Sequence, residues 1–138
     1  MILTETIRFK TNGDCDVVNI THHVEAQLAT SNLKNGIVTV FVTGSTAGVT
    51  TIEYEPGLVA DIKEAFERIA PKGIPYAHNE TWGDGNGYSH IRASLLGASL
   101  VIPLENFKMV LGTWQQIVLI DFDNRPRKRD VVVQVTGE

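Results

Sequence analysis

The run Gly36-Ile37-Val38-Thr39-Val40-Phe41-Val42-Thr43 constrains the fold more than any other stretch of the chain. β-Branched and aromatic side chains dominate it, and its apolar residues fall on both faces, the pattern of a central strand. A central strand needs partners on both sides, and the flanking sequence offers them. Residues 2–10 alternate, with Leu3, Ile7 and Phe9 on one set of positions, and read as a strand ending in the turn Thr11-Asn12-Gly13-Asp14. A short strand is expected near Asp16–Asn19, and Val49–Tyr54 reads as another after the break Gly44-Ser45-Thr46-Ala47-Gly48. The last third reads as strands over Ala98–Leu104, Phe107–Leu111, Thr113–Phe122 and Val131–Val135. Glu105-Asn106 marks a hairpin turn, and Asp123-Asn124-Arg125-Pro126-Arg127 a polar loop.

Helical periodicity is confined to three places. Thr21 is placed to cap a helix reaching about Thr30, with Val24 and Leu28 on one face. Leu58 to Ala70 is amphipathic, with Leu58, Ile62, Ala65, Phe66 and Ile69 as its stripe. A third helix is expected from Ser89 or His90 to Leu96, stopped by Gly97. The expected class is α+β: a mainly antiparallel β core, a sandwich or partly open barrel, carrying two to three helices in one domain over residues 1–138.

Composition excludes several functions. Hydrophobic residues make up 43% and charged residues 20%, a globular balance, and the net charge of −4 argues against a general nucleic-acid binder. No stretch approaches the roughly 20 apolar residues of a membrane span, and the start of the chain lacks signal-peptide architecture, so a cytoplasmic protein is expected. The single cysteine, Cys15, permits no internal disulfide. Asp14 and Asp16 beside it would raise its thiol pKa, which argues against a nucleophile.

The segment Tyr76–His90 stands apart. It holds two of the four histidines, with Glu80, Asp84, Asn79, Asn86, Trp82 and three glycines, and reads as irregular. Ordering such a segment costs about 1–2 kcal/mol per residue in backbone entropy, so a ligand, metal or subunit contact is the expected compensation. His78 and His90 with Asp84 would suit a divalent metal, zinc by ligand type with magnesium as the alternative, and would leave one position open. A loop tied by histidine hydrogen bonds is the competing reading. His22 and His23 are helix neighbours pointing about 100° apart and read as a solvated helix start.

Other candidates surround this stretch. Ser45 and Thr46 lie in a turn able to cradle an anion, although no P-loop lysine accompanies them; a β-bulge or tight corner is the alternative. Glu53 could act as a general base, Asn86 could orient substrate, and Gln115 needs a partner in its apolar strand. Arg125, Arg127, Lys128 and Arg129 could hold phosphate, the arginines by bidentate contacts, or could simply be a charged hairpin loop. Trp114 reads as core.

In combination, Gly44–Thr50 with Glu53, Tyr76-Ala77-His78, Asp84–Gly97, Leu111–Ile117 and Arg125-Pro126-Arg127 resemble the YjbQ-like family, also called the secondary thiamine-phosphate synthase family. The resemblance covers essentially the whole chain. It implies a homotrimer with a metal-associated polar cleft, in which the positions of His78 and His90 are metal-site residues. It also implies a weak thiamine-phosphate synthase activity, that is, a small-molecule transferase acting on phosphorylated precursors. Glu53 and His90 would then be catalytic, and Ser45, Thr46, Asn86, Gln115, Arg125 and Arg127 would bind substrate. One departure stands out: many members carry His where this chain has Gly44. The alternative function is a non-catalytic trimeric module that binds a metal and an anionic metabolite.

Overall fold

The computed structural model describes residues 1–138. The chain runs β1 (Ile2–Thr11), β2 (Asp16–Asn19), α1 (Thr21–Ser31), β3 (Gly36–Val42), β4 (Ala47–Glu53), α2 (Pro56–Ile69), α3 (Ala77–Trp82), α4 (Gly87–Leu96), β5 (Ser99–Glu105), β6 (Lys108–Met109), β7 (Gln115–Asp121) and β8 (Arg127–Gly137). The strands form a five-stranded sheet in the order β1-β8-β3-β5-β6 and a three-stranded sheet in the order β2-β7-β4. Every pairing is antiparallel. The α+β expectation holds.

Period-two patterning sets the layers. Val38, Val40 and Val42 of β3, Val131, Val133 and Val135 of β8, and Ile102 and Leu104 of β5 face inward from the larger sheet. They meet Ile117 and Leu119 of β7 and Val49 of β4 across one dry core, and Val24 and Leu28 of α1 join them. The opposite face of β7 presents Val118 and Ile120, with Phe122 just beyond the strand. These pack with Ala93 of α4 and the half-buried Val59, Ile62 and Phe66 of α2. The layer order is therefore sheet, core, sheet, core, helices.

The strand buried on both faces is β7, where Ile117 to Asp121 are all buried. β3 is central by pairing, but its outward residues Ile37 and Phe41 are 44% and 42% exposed. Alternation inside an apolar run shows which residues share a face; it does not show whether a second layer covers the other face.

Several local expectations change. Four helices form where two to three were expected, the strand expected over Phe107–Leu111 shrinks to β6, and β8 begins at Arg127, inside the expected polar loop. Thr21 is the first residue of α1, not its cap; Ile20 is the cap residue and makes no side-chain cap bond. The Thr21 hydroxyl instead donates to Asn19 Oδ1 (2.8 Å) and accepts from the Ile117 amide (2.8 Å), tying the helix start to β7. Trp114 is 72% exposed, not core. The hairpin signal at Glu105-Asn106 is sound: Asn106 and Phe107 both take positive φ (51° and 67°) between the paired Glu105 and Lys108, as a two-residue hairpin requires.

Cys15 lies in the second core at 3% exposure. Its thiol pKa is pushed up, by burial first and by Asp14 only as a lesser contribution. The inert reading of this cysteine survives, with desolvation rather than neighbouring charge as the main cause.

Candidate functional site

The segment 76–90 is ordered by its own bonds. Ala77–Trp82 winds into the short helix α3, which Gly83 ends in the left-handed region (φ 73°). Asn79 Oδ1 accepts from the Gly87 amide (2.9 Å), and the Tyr76 hydroxyl donates to the Pro71 carbonyl (2.6 Å). Gly87 is required where α4 starts: a Cβ there would lie 2.5 Å from Tyr76 Cβ. Asn124 Nδ2 donates to the Asp84 carbonyl (2.8 Å), fastening the loop to the β7–β8 connection. The expectation of an irregular stretch held only from outside is thereby corrected; hydrogen bonds within the chain supply the compensation.

These bonds bring His78 of α3 and His90 of α4 together. Their ring centroids are 4.2 Å apart at an interplanar angle of 52°. Burial, and then the neighbouring His78, lower the His90 pKa, while Asp123 and Asp84 pull it the other way. A neutral imidazole is the form that ligates a metal or accepts a proton.

The pair lines an open recess of about 370 Å³ whose remaining wall comes from Gly44, Ser45, Thr46, Trp82, Asp84, Asn86, Arg127 and Arg129. Behind this wall lies a buried charge network. Asp121 and Asp123 are fully buried. Arg129 donates to Asp121 through Nε (2.7 Å) and Nη2 (2.8 Å), a bidentate clamp, and Thr11 donates to the same carboxylate. Arg127 Nε (2.6 Å), Thr46 Oγ1 (3.2 Å) and Asn86 Nδ2 (3.2 Å) all donate to Asp123, as does the Asn124 amide (2.8 Å). Burial alone would raise the Asp123 pKa; the donors from Asn86, Asn124 and Arg127 outweigh it and hold the carboxyl below its ordinary range.

Of the expected site residues, the recess gathers His78, His90, Asp84, Ser45, Thr46, Asn86 and Arg127. Ser45 is exposed at the lip. Thr46 and Asn86 are buried and committed to Asp123, so they position the wall instead of meeting ligand; Asn86 Oδ1 and Ser89 Oγ are buried without partners. Arg125 is exposed and lines a separate small notch of about 140 Å³, which shares Asp84, Asn86 and Arg127 with the recess.

Three expectations fail on geometry. No group of three His, Cys, Asp or Glu side chains gathers at ligating distance, so Asp84 does not complete a metal set with His78 and His90. Glu53 and Gln115 face each other across the β4–β7 pair at the end of β4 far from Thr46. Seven positions at about 3.3 Å each put them roughly 20 Å from the recess. Gln115 is occupied there, accepting from the Gly112 amide (2.9 Å) and donating to Thr51 (2.8 Å).

Sequence reasoning missed Asp121 and Asp123, and it took Arg129 for part of a charged phosphate-holding loop instead of a buried clamp. A signal existed. Arg129 is in phase with Val131, Val133 and Val135, so it had to point inward, and a buried guanidinium needs buried carboxylates.

Comparisons with known proteins agree with this architecture. The family model described as UPF0047 protein YjbQ-like matches residues 5–138. A UPF0047 protein of Methanothermobacter thermautotrophicus is 36% identical over 137 residues, covering 99% of this chain and 94% of that protein. The UPF0047 protein YugU of Bacillus subtilis is 30% identical, covering 98% of this chain and all of YugU. A crystal structure of a YbjQ-like protein of unknown function from Sulfolobus solfataricus superposes with a TM-score of 0.95 at 34% identity, covering 100% of this chain and 99% of that one. An uncharacterised member of the yjbq/upf0047 family from Clostridium acetobutylicum superposes at 0.88 with 37% identity, over 96% and 99% of the two chains. With a family model spanning nearly its full length and relatives above 30% identity end to end, this chain belongs to the YjbQ-like UPF0047 family.

Proposed function

We propose that the recess binds a small phosphorylated or otherwise anionic metabolite and acts on it as a metal-associated enzyme. The observation that carries this reading is the convergence of His78 and His90 beside the guanidinium groups of Arg127 and Arg129. The donor set fits a divalent metal in part. Two imidazoles, one of them biased to the neutral form, suit zinc better than magnesium. His78 and His90, with ring centroids 4.2 Å apart, are the residues that would hold it. Water or ligand atoms would complete the shell, because no third imidazole or carboxylate does. Bound there, a metal would supply Lewis-acid stabilisation of developing negative charge.

The family resemblance points to thiamine-phosphate synthesis, in which a pyrimidine pyrophosphate and a thiazole phosphate are joined and pyrophosphate leaves. That chemistry needs leaving-charge stabilisation, and the guanidinium donors of Arg127 and Arg129 left free by Asp123 and Asp121 support this reading as hydrogen-bond donors. His90 is the group placed to move a proton, since Glu53 is too distant. Ser45 at the lip is free to orient substrate. The homotrimer and the cytoplasmic location belong to this reading; the exposed apolar face of the larger sheet, with Ile37, Phe41 and Val101, supports subunit contact.

A second reading is a non-catalytic trimeric module holding a metal and an anion, supported by the pairing of Arg127 and Arg129 with buried carboxylates, which leaves donors to hold an anion but little net charge to drive a reaction. One set of measurements separates the two: zinc content of the purified protein, sedimentation mass, and turnover with both thiamine precursors. Turnover that falls at least 100-fold in His90→Ala, with zinc and trimer in the parent, supports the enzyme. Tight ligand binding without turnover supports the module. Absence of both metal and ligand binding ends the proposal.

A further inference from the structure

Among the charged donors that the network leaves unused, one belongs to a side chain that is almost fully buried. Arg129 Nε and Nη2 are consumed by Asp121 and Thr46, but Nη1 has no protein partner, although the side chain is only 9% exposed. Nη1 is also not among the fully enclosed unsatisfied atoms, so it keeps access to the recess that Arg129 lines. It points at Gly44: a Cβ on that residue would lie 2.7 Å from Nη1. The backbone of Gly44 is not in the left-handed region, so nothing conformational demands glycine there. What the missing side chain provides is an uncovered guanidinium N–H.

From this we infer that Gly44 is a specificity-determining residue. By leaving Arg129 Nη1 open, it creates a seat for one oxygen of a tetrahedral oxyanion of the phosphomonoester class, held against the Gly44 backbone. The seat is rigid before ligand arrives, because the bidentate clamp on Asp121 fixes the guanidinium plane. Asp121 also neutralises the charge of Arg129, and Asp84 stands on the same wall. Recognition therefore rests on an aimed donor more than on net positive charge, which separates this seat from a general anion-attracting patch. A side chain at position 44 would cap Nη1 and close the seat. Arg127, its Nε bound to Asp123 and its side chain one-third exposed at the recess, is the second guanidinium within the wall.

This inference deepens the proposed function by naming the ligand's recognition group, and rests on the same recess, but it does not need the metal. Its test therefore uses chelator-treated, metal-free full-length protein titrated calorimetrically with inorganic phosphate and with a simple phosphomonoester. The unsubstituted chain is expected to bind both at one site per chain. Gly44→Ala should weaken binding at least tenfold, with an unchanged circular dichroism spectrum. Ser45→Glu, a change confined to the exposed lip, should weaken it comparably by repulsion, and Arg8→Ala, on the outer face of β1, should leave it unchanged. Affinity in a folded Gly44→Ala equal to that of the parent overturns the inference whatever Ser45→Glu does, as does a loss in Arg8→Ala matching that in Gly44→Ala. Should Gly44→Ala fail to fold, Ser45→Glu decides alone. Phosphate binding in the metal-free protein with no zinc uptake on reconstitution would sink the metal reading and leave this one standing.

Discussion

His78 and His90 stack at a tilt, 4.2 Å between ring centroids, one on a six-residue helix and the other on the helix that follows it. Two imidazoles this close resist carrying two protons, and burial adds to the effect on His90. Its folded-state pKa lies below the ordinary value of about 6.5 that the unfolded chain keeps. The unfolded state therefore takes up its proton first as pH falls, and the stability contributed by neutral His90 is present above about pH 6.5 and lost below it. The denaturant midpoint should drop between pH 7.5 and pH 5.5, and the drop should be shallower in His90→Gln. Zinc should also raise the melting temperature more at pH 7.5 than at pH 5.5.

The buried clamp between Arg129 and Asp121 predicts an asymmetric mutational response. Asp121→Asn strands a buried guanidinium and should cost about 3–5 kcal/mol in urea denaturation. The double change Asp121→Leu with Arg129→Met removes both charges and should cost clearly less than the sum of the single changes. Additive losses would show that the pair is not coupled as the bidentate geometry requires.

Phe122 and Phe66 pack at 4.7 Å between centroids, but from unequal positions. Phe122 is fully buried behind β7, and Phe66 is half-buried on α2. Phe122→Ala should cost about 3–5 kcal/mol, and Phe66→Ala roughly 1–2 kcal/mol, since less apolar area leaves water on folding. Matched thermal and urea unfolding of the two variants checks the ratio.

Glu53 was a reasonable proton handler by residue type, but its place at the far end of β4 removes it from the recess. Glu53→Gln and Gln115→Ala should each change ligand affinity and any turnover by less than twofold. A larger effect in a calorimetric titration would require a second site at that end of the sandwich.

Much of this architecture is legible in the residues, because its main determinant is period-two burial. Leu3, Ile7 and Phe9 place β1, the valines of β3 and β8 face one core, and Pro56 with the apolar stripe places α2. The recess is only half legible. His78, His90, Ser45 and Arg127 announce themselves by chemistry, and each is on the wall. Asp121 and Asp123 do not, and Arg129 reads as one cation of an exposed basic loop, because a charged residue near a strand end reads as solvent-facing unless its phase is followed into the adjoining apolar positions. Glu53 and Gln115 fail for another reason. Strand assignment says which face a residue takes, but the end of the sheet at which a site forms is fixed by α3 and α4, and the six residues of α3 carry too little periodicity to be seen.

The enclosed, protonated thiol of Cys15 has a practical consequence. A maleimide fluorophore will pass over it in the native protein, since such reagents attack an accessible thiolate. Trp82→Cys, at the 75% exposed edge of the histidine recess, would then carry the sole dye-reactive sulfur. Its emission would report ligand entry directly, without first stripping a native cysteine from the sequence.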